Sequence, residues 1–591
     1  MRHCVLIFLL GGSVCVFSPT ASAIPQGAPS CAQSVATGGK IRAWSNSQHA
    51  SNPALRDISP NSMRGYFLMN LLYKGGTFDD VIDALDDFKK MGIKLLWLNP
   101  VHEQSTMHWK NPYVEEDLKA DESLPPEKNP FAGARHDRQE LNNHGYWVSD
   151  HRSVALRLGG PNKLKLLVSE ARKRGIEICL DTVLNHFGYP ADEDTTFNIN
   201  GKQVHWSNTA YFRKIHLRTR HHQVPGWLYG ALSNSDTEQK ARSNQSELTQ
   251  YSLENLICFN HDNPEVRKYL IDSYKYFYDE MGLRVFRIDA AKHYSQEFLA
   301  EFINAMNEHA AHHGEQITFI VEFLEYKDFV LDVFINDLVA KVKDSSLLFF
   351  LDFPVSRELR RLFRDDDGSS LSYAHLRGHM EYRDRVRPQA RLIPMVEDHD
   401  LSAPIQDEFF DKMIYVTAEF FSYNPVVIFH GNEAAKAPHQ ARTHIESINP
   451  EGEVARYIQK VGEALAPYRS TRQFGTSHFH AATHSFGLIE KSRDAKHSIF
   501  LMSEKSGHPS RHSVVLPPHF MGRKLKYVVG GNGVELGLRA KEGSPEHLEL
   551  HELADGGRVL AELRFERQPA GLALHIDSKD KFFAVFEMVS P

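Results

Sequence analysis

The sequence predicts an α/β protein: a (β/α)8 TIM barrel with an insertion after its third strand and a C-terminal antiparallel β-sandwich domain. Short apolar runs of strand length alternate with amphipathic helical segments over much of the chain. Reactive side chains follow several of these runs, which is where an α/β barrel places its catalytic groups. Toward the C-terminus the pattern changes to short strand-like runs separated by Gly, Pro and His.

Eight apolar runs are predicted to form the strands of the barrel. The clearest lies in LRVFRIDAAKH at 283–293, where the apolar run ends directly on Asp289. Arg287 stands two residues earlier, on the same face of a strand, and its cation would keep that carboxylate ionised. For this stretch by itself, a structural Arg–Asp pair is an equal alternative. The strands are predicted at 66–72, 93–98, 176–183, 283–288, 317–321, 347–353, 392–396 and 426–429.

Helical periodicity fills several of the gaps between these strands. Thr77 is placed to cap a helix with Asp80 at its third position, and Gly92 ends that helix. Residues 103–143 form a long polar insertion, and 187–260 lack a clear period, which indicates an inserted subdomain. Further helices are predicted at 163–174, 264–281, 298–311 and 454–465.

The bulk composition limits the number of domains and the possible partners. With 591 residues the chain is too long for one hydrophobic core. A formal charge of −7 offers no general basic surface for nucleic acid or for an anionic membrane. The 33 histidines are scattered, and no run of them has the spacing of a metal-binding motif.

Residues 1–23 have the features of a secretory signal peptide: a basic start, an apolar centre and small residues up to Ala23. An uncleaved anchor is the alternative, but the apolar run is short for a membrane span and Gly11 and Gly12 interrupt it. We therefore predict export to the periplasm or the medium, with no membrane association after the signal is removed. No later segment is long and apolar enough to cross a bilayer.

The cysteines do not form a disulfide framework. Loss of the signal would leave Cys31, Cys179 and Cys258, which permit at most one internal disulfide. Cys179 falls inside the third predicted strand and is expected to be a small core residue. The predicted organisation is a signal peptide at 1–23, an N-terminal arm at 24–61, the barrel at 62–186 and 261–468, the insertion at 187–260, and the β domain at 469–591.

Polar side chains follow four of the predicted strands. They are Asp181, Asn185 and His186; Arg287, Asp289, Lys292 and His293; Glu322; and His399 and Asp400. Because the carboxyl ends of parallel barrel strands open on one face, these groups are expected to converge there. Each group alone is weak evidence, but together and in this order they indicate an active site.

These motifs resemble the signatures of the α-amylase family, glycoside hydrolase family 13. The resemblance covers roughly 66–591, and it makes the insertion at 187–260 the family's domain B and the β domain its domain C. Val285 and Asp398 depart from the family pattern, which usually has Gly and Asn there. The matching segments are LDTVLNH at 180–186, FRIDAAKH at 286–293, FIVEF at 319–323 and VEDHD at 396–400, with HGYW at 144–147 and GNE at 431–433 in support.

The resemblance implies hydrolysis with retention of configuration on α-linked glucose polymers or oligomers. Asp289 would be the nucleophile, and Glu322 would protonate the leaving oxygen and later activate water. Asp400 would bind sugar hydroxyls and help to distort the ring. Glu325 is the local rival of Glu322, but Glu322 ends the apolar run and is preferred.

The same resemblance assigns the contacts with the sugar. Arg287 would orient Asp289, and Tyr146 would stack on the sugar ring. The two histidines of the first and fourth signatures would donate hydrogen bonds to that sugar. Lys292 and His293 would line the leaving-group side. The alternative for those two histidines is a purely structural role. The implied substrate-binding residues are Tyr146, His186, Arg287, Lys292, His293 and His399.

A structural calcium ion is also implied, with Asn185 as a ligand, while no organic cofactor is expected. The stretch LICFNHDNP at 256–264 resembles a family LPDLN element, but it has Cys258 where a calcium-binding Asp is usual. Calcium needs several hard oxygen ligands and a thiol is a poor substitute, so the sequence is compatible with a calcium-bound and with a calcium-free protein.

The leading hypothesis is a secreted retaining glycoside hydrolase that cleaves α-glucosidic, chiefly α-1,4, bonds in starch-like glucans or maltooligosaccharides. An α-glucosidase or an α-glucan transglycosylase would use the same catalytic residues, because acceptor subsites built by loops decide the outcome. A catalytically silent family member acting as a binding protein typically lacks one of the three carboxylates, and all three are present here. Endo or exo action, chain-length preference, oligomeric state and the roles of 103–143 and the N-terminal arm are not indicated.

Overall fold

The structure is a computed structural model. It describes residues 64–69, 73–105, 144–188, 190, 194–213, 226–251, 253, 256–363, 372–386, 391–396, 408–421, 426–432, 448–468, 471–472, 475–494, 497–531, 536–553, 557–569 and 571–589. The predicted signal peptide, the N-terminal arm, most of the 103–143 insertion, and both His399 and Asp400 lie outside the described residues. The domain boundaries given above stay a prediction.

Eight parallel strands form the central sheet, which confirms the predicted barrel. In chain order they are β1 Arg64–Leu68, β2 Ile93–Leu98, β3 Glu177–Thr182, β4 Val285–Ile288, β5 Thr318–Val321, β6 Leu348–Leu351, β7 Leu392–Ile393 and β8 Val427–Phe429. The ring closes between β7 and β8 through one parallel bridge that joins Met395 to Val427, where the N–H of Val427 donates to the carbonyl of Pro394 at 2.9 Å. All eight predicted strand regions contain a strand.

Alternate strand residues fill the interior of the barrel, as expected for inward-facing positions. Phe67 and Trp97 stack there with ring centroids 3.9 Å apart, and Cys179 is fully buried in the same cluster. The pairing of β3 with β4 puts Arg287 opposite Asp181, toward the carboxyl ends of both strands. An apolar interior therefore carries charged side chains at one end, and that end is where the site lies.

The helices predicted from periodicity are present, with shifted bounds. Thr77 and Asp80 form a capping box, in which each side chain accepts a hydrogen bond from the backbone N–H of the other. The helix that they begin is broken at Ala84 into two short pieces. These helices are Phe78–Asp83, Leu85–Lys90, Gly160–Lys173, Pro264–Asp279, Gln296–His312 and Glu453–Leu465.

Periodicity does not predict four further helices, which are Asp328–Lys341, Phe353–Phe363, Tyr373–Val386 and Glu408–Phe421. Asp328–Lys341 buries Leu331, Val333, Phe334 and Ile335 in close succession, so the one-sided apolar stripe of a surface helix is missing. The predicted strand at 347–353 is also wrong at its end. The strand stops at Leu351 and Pro354 lies in the first turn of the next helix, a position that proline tolerates well.

The insertion after β3 has more regular structure than its sequence indicates. Helices Gly226–Ser233 and Glu238–Leu248 and the hairpin Thr196–Ile199 with Lys202–His205 all lie within it. Its two ends meet where His186–Phe187 pairs antiparallel with Ile257–Cys258. The insertion therefore begins and ends beside the C-terminal end of β3.

Two five-stranded antiparallel sheets follow the barrel and confirm the predicted β-sandwich. Side chains from both sheets, among them Phe500 and Leu574, share one buried cluster. Among the described helices, none has the length and apolar character needed to cross a membrane. The strands are Thr476–Ala482, Phe486–Asp494, His497–Glu504, Ser510–Leu516, Lys524–Gly531, Leu536–Lys541, Ser544–Glu552, Val559–Gln568, Gly571–Ser578 and Phe582–Val589.

Candidate active site

Neighbouring strands deliver two carboxylates to one rim of the barrel. Asp289 directly follows β4, and its N–H donates to the carbonyl of Thr182 on β3 at 3.0 Å. Glu322 directly follows β5, and its N–H donates to the carbonyl of Ile288 on β4 at 2.9 Å. Parallel pairing thus continues one residue beyond the strands, which sets the two carboxylates beside each other.

Arg287 lies below this rim with a fully buried side chain and contacts three carboxylates. Its Nη1 donates to Oδ1 of Asp181 at 2.7 Å and to Oδ1 of Asp289 at 2.8 Å. Its Nη2 lies 2.6 Å from Oε1 of Glu322. Burial alone would lower the pKa of Arg287, but the surrounding acidic groups raise it well above its usual value. The guanidinium is therefore a fixed positive charge that holds Asp289 and Glu322 in place, as the sequence predicts for Asp289.

Asp181 supports Arg287 from the interior, a role that the sequence alone does not indicate. It is fully buried and accepts hydrogen bonds from the Tyr146 hydroxyl at 2.6 Å and from Nε1 of Trp97 at 3.1 Å. Burial raises the pKa of Asp181, whereas Arg287 and the Tyr146 hydroxyl lower it. The signal that could have revealed it is an inward-facing Asp on β3 in register with an inward-facing Arg on β4.

Tyr146 reaches the site because of the glycine that precedes it. Gly145 has φ +85°, and a Cβ at that position would lie 2.7 Å from the carbonyl oxygen of Pro100. The Tyr146 hydroxyl bonds to Asp181, and its carbonyl lies 3.1 Å from Nε2 of His186. Stacking of its ring on a sugar stays a prediction, since Tyr146 as a whole is only 9% exposed.

Glu322 is held from a second direction by a strained turn. Ala290, immediately after Asp289, has a left-handed backbone with φ +49° and ψ +36°, which is uncommon for a residue other than glycine. That conformation directs its N–H to Oε2 of Glu322 at 2.7 Å. One oxygen of Glu322 therefore forms an ion pair with Arg287 of β4, and the other accepts a hydrogen bond from the residue that follows Asp289.

Glu325, the rival candidate for the acid, is fully occupied by structural contacts. Its Oε2 accepts from the hydroxyl of Ser233 at 3.0 Å and from Nζ of Lys292 at 3.4 Å. Its Oε1 accepts from the N–H groups of the two residues that follow it, at 2.9 and 3.1 Å. These contacts favour Glu322 as the acid, in agreement with the preference drawn from the sequence.

Lys292 and His293 lie in a short turn that packs against the insertion. Burial lowers the pKa of Lys292, and Glu325 raises it in opposition. His293 has its Nε2 3.3 Å from the hydroxyl of Tyr229, and burial lowers its pKa to about 3. The structure thus places both residues beside Asp289, on the side of helix Gly226–Ser233.

His186 is enclosed by protein atoms on both sides of its ring. Its Nε2 faces the Tyr146 carbonyl, and its Nδ1 lies 3.4 Å from Nδ2 of Asn185. Burial lowers its pKa to about 4, so the ring is neutral near pH 7. A structural role, which the sequence left open for His186, fits these contacts, and a bond to sugar would have to replace one of them.

The residues at the expected calcium position do not fit that ion. Asn185 and Cys258 do lie together, but the amide Nδ2 faces the Cys258 Sγ at 3.5 Å, and the same sulfur accepts the N–H of Leu253 at 3.3 Å. Oδ1 of Asn185 is buried without a hydrogen-bond partner among the described residues. It is the one side-chain oxygen of this pair, whereas calcium takes about 6–8 oxygen ligands.

Buried neutral histidines are a second feature of this region. Both ring nitrogens of His102 are without a hydrogen-bond partner in the described part of the chain, and the ring packs edge-on against Phe277 and Tyr274. Burial lowers its pKa to about 3. Burial likewise lowers the pKa of His151, His186, His261 and His293.

The free energy of unfolding is therefore expected to fall as the pH drops below about 6.5. In that range the unfolded chain binds protons on these histidines and the folded chain does not. Each such histidine lowers the free energy of unfolding by about 1.4 kcal/mol for every pH unit. His102→Phe should therefore reduce the slope of the free energy of unfolding against pH by about 1.4 kcal/mol per pH unit, as measured by urea unfolding at a series of pH values. His375→Phe, at an exposed position, is the control. Equal slopes for wild type and His102→Phe would contradict this prediction.

Comparison with known proteins gives a consistent result. The family model described as "Alpha amylase, catalytic domain" matches residues 41–361. The chain is 25% identical over 234 residues to Alpha-amylase 2 of Schwanniomyces occidentalis, covering 40% of this chain and 37% of that protein. It is 26% identical over 306 residues to a cyclomaltodextrin glucanotransferase of Bacillus sp. (strain 6.6.3), covering 50% and 35%. The chain thus spans less than two fifths of the length of either relative.

The fold has close counterparts among solved structures. The crystal structure of α-amylase from Geobacillus thermoleovorans, complexed with acarbose, superposes with a TM-score of 0.59 at 17% identity. The superposition covers 90% of this chain and 99% of that one. At this level of identity the likeness concerns the fold alone.

Proposed function

Because the chain belongs to the α-amylase family of glycoside hydrolases, we propose that it hydrolyses α-glucosidic bonds in starch-like glucans or maltooligosaccharides with retention of configuration. The observation that supports this most strongly is the shared guanidinium of Arg287. It contacts Asp289 through Nη1 and Glu322 through Nη2, which keeps the two carboxylates close together. Retaining glycosidases hold their two carboxyl groups about 5–5.5 Å apart, whereas inverting enzymes leave a wider gap for water.

In the proposed mechanism Asp289 attacks the anomeric carbon of the bound sugar. The glycosidic C–O bond breaks, and the leaving oxygen takes a proton from Glu322. A glycosyl ester of Asp289 results. Glu322, now ionised, removes a proton from water, which attacks the same carbon and releases the sugar and free Asp289. Two inversions give net retention.

Asp289 is well suited to the role of nucleophile. The contact with Arg287 favours its charged form, and the Tyr294 hydroxyl fixes its backbone by donating to its carbonyl at 2.6 Å. The side chain keeps access to solvent at the rim, with 11% of its surface exposed. Glu322 has 8% exposed and lies next to it. A fixed, charged and accessible carboxylate is what the first step requires.

Glu322 must give up one of its two contacts before it can act as an acid. In the structure Oε1 is paired with the Arg287 cation and Oε2 accepts from the N–H of Ala290. A protonated oxygen is a donor and cannot accept in the same direction. We propose that the leaving oxygen of the substrate replaces one of these partners when the groove is filled.

The third carboxylate, Asp400, and its neighbour His399 complete the proposed site. Both follow β7 in sequence, and both lie outside the described residues. Their roles, binding of sugar hydroxyls and a hydrogen bond to the ring, therefore rest on the resemblance of the fourth signature. Tyr146, Lys292 and His293 are proposed to contact the sugar from the β2, β4 and insertion sides.

Transglycosylation is the second candidate, and a specific observation favours it. The chain matches a cyclomaltodextrin glucanotransferase as well as it matches an α-amylase, at 26% and 25% identity. Both activities share the glycosyl-enzyme intermediate and differ in what attacks it.

Export to the periplasm or the medium is also part of the proposal and depends on the signal-like character of residues 1–23.

Product analysis separates these activities. The purified protein is incubated with starch and, separately, with maltotriose, and the products are resolved by chromatography. We expect a mixture of short oligomers from starch, because an amylase cleaves internal bonds. Glucose alone would indicate an α-glucosidase, and lengthened or cyclic products a transglycosylase. No product from either substrate, with a folded protein, would contradict the proposed function.

A further inference from the structure

Arg213 carries a positive charge beside the position where the family resemblance expects calcium. It follows Phe212, whose bridge to Phe259 ties this part of the insertion to the segment that contains Cys258. The Arg213 N–H donates to the carbonyl of Cys258 at 2.8 Å. Its charge also acts on His186 and His293, where, after burial, it contributes to the lowered pKa of each ring.

The guanidinium connects the insertion to the loop that follows β3. Nη1 of Arg213 donates to the carbonyl of Tyr251 at 3.2 Å, and Nη2 lies 3.0 Å from Nδ1 of His261. Nε2 of His261 lies 2.8 Å from the carbonyl of Leu184. Because a carbonyl can only accept, Nε2 of His261 carries the hydrogen and Nδ1 accepts from Arg213. The chain of contacts thus ends one residue before Asn185.

Three backbone oxygens near the Asn185 side chain already accept hydrogen bonds from donors of the protein. The carbonyl of Asn185 accepts the N–H of Phe259 at 2.9 Å. The carbonyls of Cys258 and Leu184 accept from Arg213 and His261, as described above. Each of these oxygens has only one lone pair left for a divalent ion, and the arginine cation would repel that ion.

We propose that this chain needs no calcium at this position, and that Arg213 is a positioning residue that holds the insertion against the loop after β3 in place of an ion. The oxygen of Asn185, the thiol of Cys258 and the adjacent guanidinium are together a poor setting for calcium. This inference goes beyond the proposed function and does not depend on which α-glucan is cleaved.

The first test uses the unaltered protein and calcium itself as the probe. Thermal unfolding is recorded after treatment with excess EDTA and again with added CaCl2, and calcium binding is measured by calorimetry. We expect Tm to stay within about 1 °C in all conditions and no stoichiometric binding heat. A lower Tm in EDTA that CaCl2 restores, or stoichiometric binding, would overturn the proposal. Neither readout uses activity, so the result is independent of the proposed function.

The second test concerns Arg213 directly. Arg213→Met keeps an unbranched side chain but removes the charge and the donors, and it should lower Tm by roughly 3–8 °C with no recovery in CaCl2. Arg213→Lys keeps a cation and should regain part of this loss. Arg152→Met, at an exposed position, is the matched control and should change Tm little. If Arg213→Met and Arg152→Met have the same Tm, or if Arg213→Lys is no better than Arg213→Met, the proposal is wrong.

Discussion

Asp289→Asn is expected to lower kcat on starch by roughly 10⁴-fold or more, with little change in stability. The amide has nearly the shape of the carboxylate, but it cannot form a glycosyl ester, so the first step of the double displacement is blocked. Turnover is measured from the appearance of reducing ends, and folding is checked by circular dichroism and thermal unfolding.

The matched control is a second buried Asp→Asn change at a place away from the rim. Asp332 on helix Asp328–Lys341 accepts from the Tyr382 hydroxyl at 2.7 Å, and burial raises its pKa to about 7. Asp332→Asn should leave kcat near the wild-type value. A folded Asp289→Asn protein that keeps more than about a hundredth of wild-type turnover would count against Asp289 as the nucleophile.

Arg287→Met is expected to lower the free energy of unfolding by about 3–5 kcal/mol, since the carboxylates of Asp181, Asp289 and Glu322 would lose their shared cation. Removing one partner of a buried ion pair leaves the others desolvated and uncompensated. Urea unfolding measures the change in stability. Activity should fall as well, because the carboxylates would no longer be held together.

A neighbouring arginine gives the control for this change. Arg284 stands just before β4, pairs with Glu315, and stacks on the ring of Tyr278 at 3.7 Å with some solvent exposure. Arg284→Met should cost about 1–2 kcal/mol, because it removes two hydrogen bonds to backbone carbonyls but leaves a single, partly exposed carboxylate. If Arg287→Met is no less stable than Arg284→Met, the three carboxylates do not depend on Arg287.

Much of the barrel can be predicted because its strands are short and buried on both faces. Such strands appear in sequence as compact apolar runs, and a charged residue at the end of a run marks the rim. For this reason 283–288 and 317–321 indicate both the strands and the positions of Asp289 and Glu322. The two-residue spacing of Arg287 and Asp289 also predicts their contact correctly.

Contacts between segments far apart in sequence could not be predicted. Asp181 meets Trp97 and Tyr146 only when three segments far apart in sequence come together. Arg213 lies in a stretch without periodicity, and nothing near it in sequence relates it to His261. The helix Asp328–Lys341 has apolar residues on several sides, so its sequence does not show the 3.6-residue spacing of an amphipathic helix.

Residues that depart from the family pattern indicate the local contacts of this chain better than residues that match it. Cys258 alone cast doubt on calcium, and the structure adds the amide of Asn185 facing the thiol and a guanidinium nearby. His186 matches its signature, yet its ring nitrogens face the protein. Signature matches thus identify where a residue lies better than what it contacts.

The central claim is that Asp289 forms a covalent bond to the sugar, and mass spectrometry tests it most directly. The protein is incubated with a fluorinated α-glucosyl fluoride, a reagent that forms the glycosyl ester quickly but whose ester hydrolyses slowly. The protein is then digested, and the masses of its peptides are measured. We expect one peptide to gain the mass of the fluorosugar, with the modification on Asp289. A sugar attached to any other residue, or no adduct together with a product of inverted configuration, would contradict it.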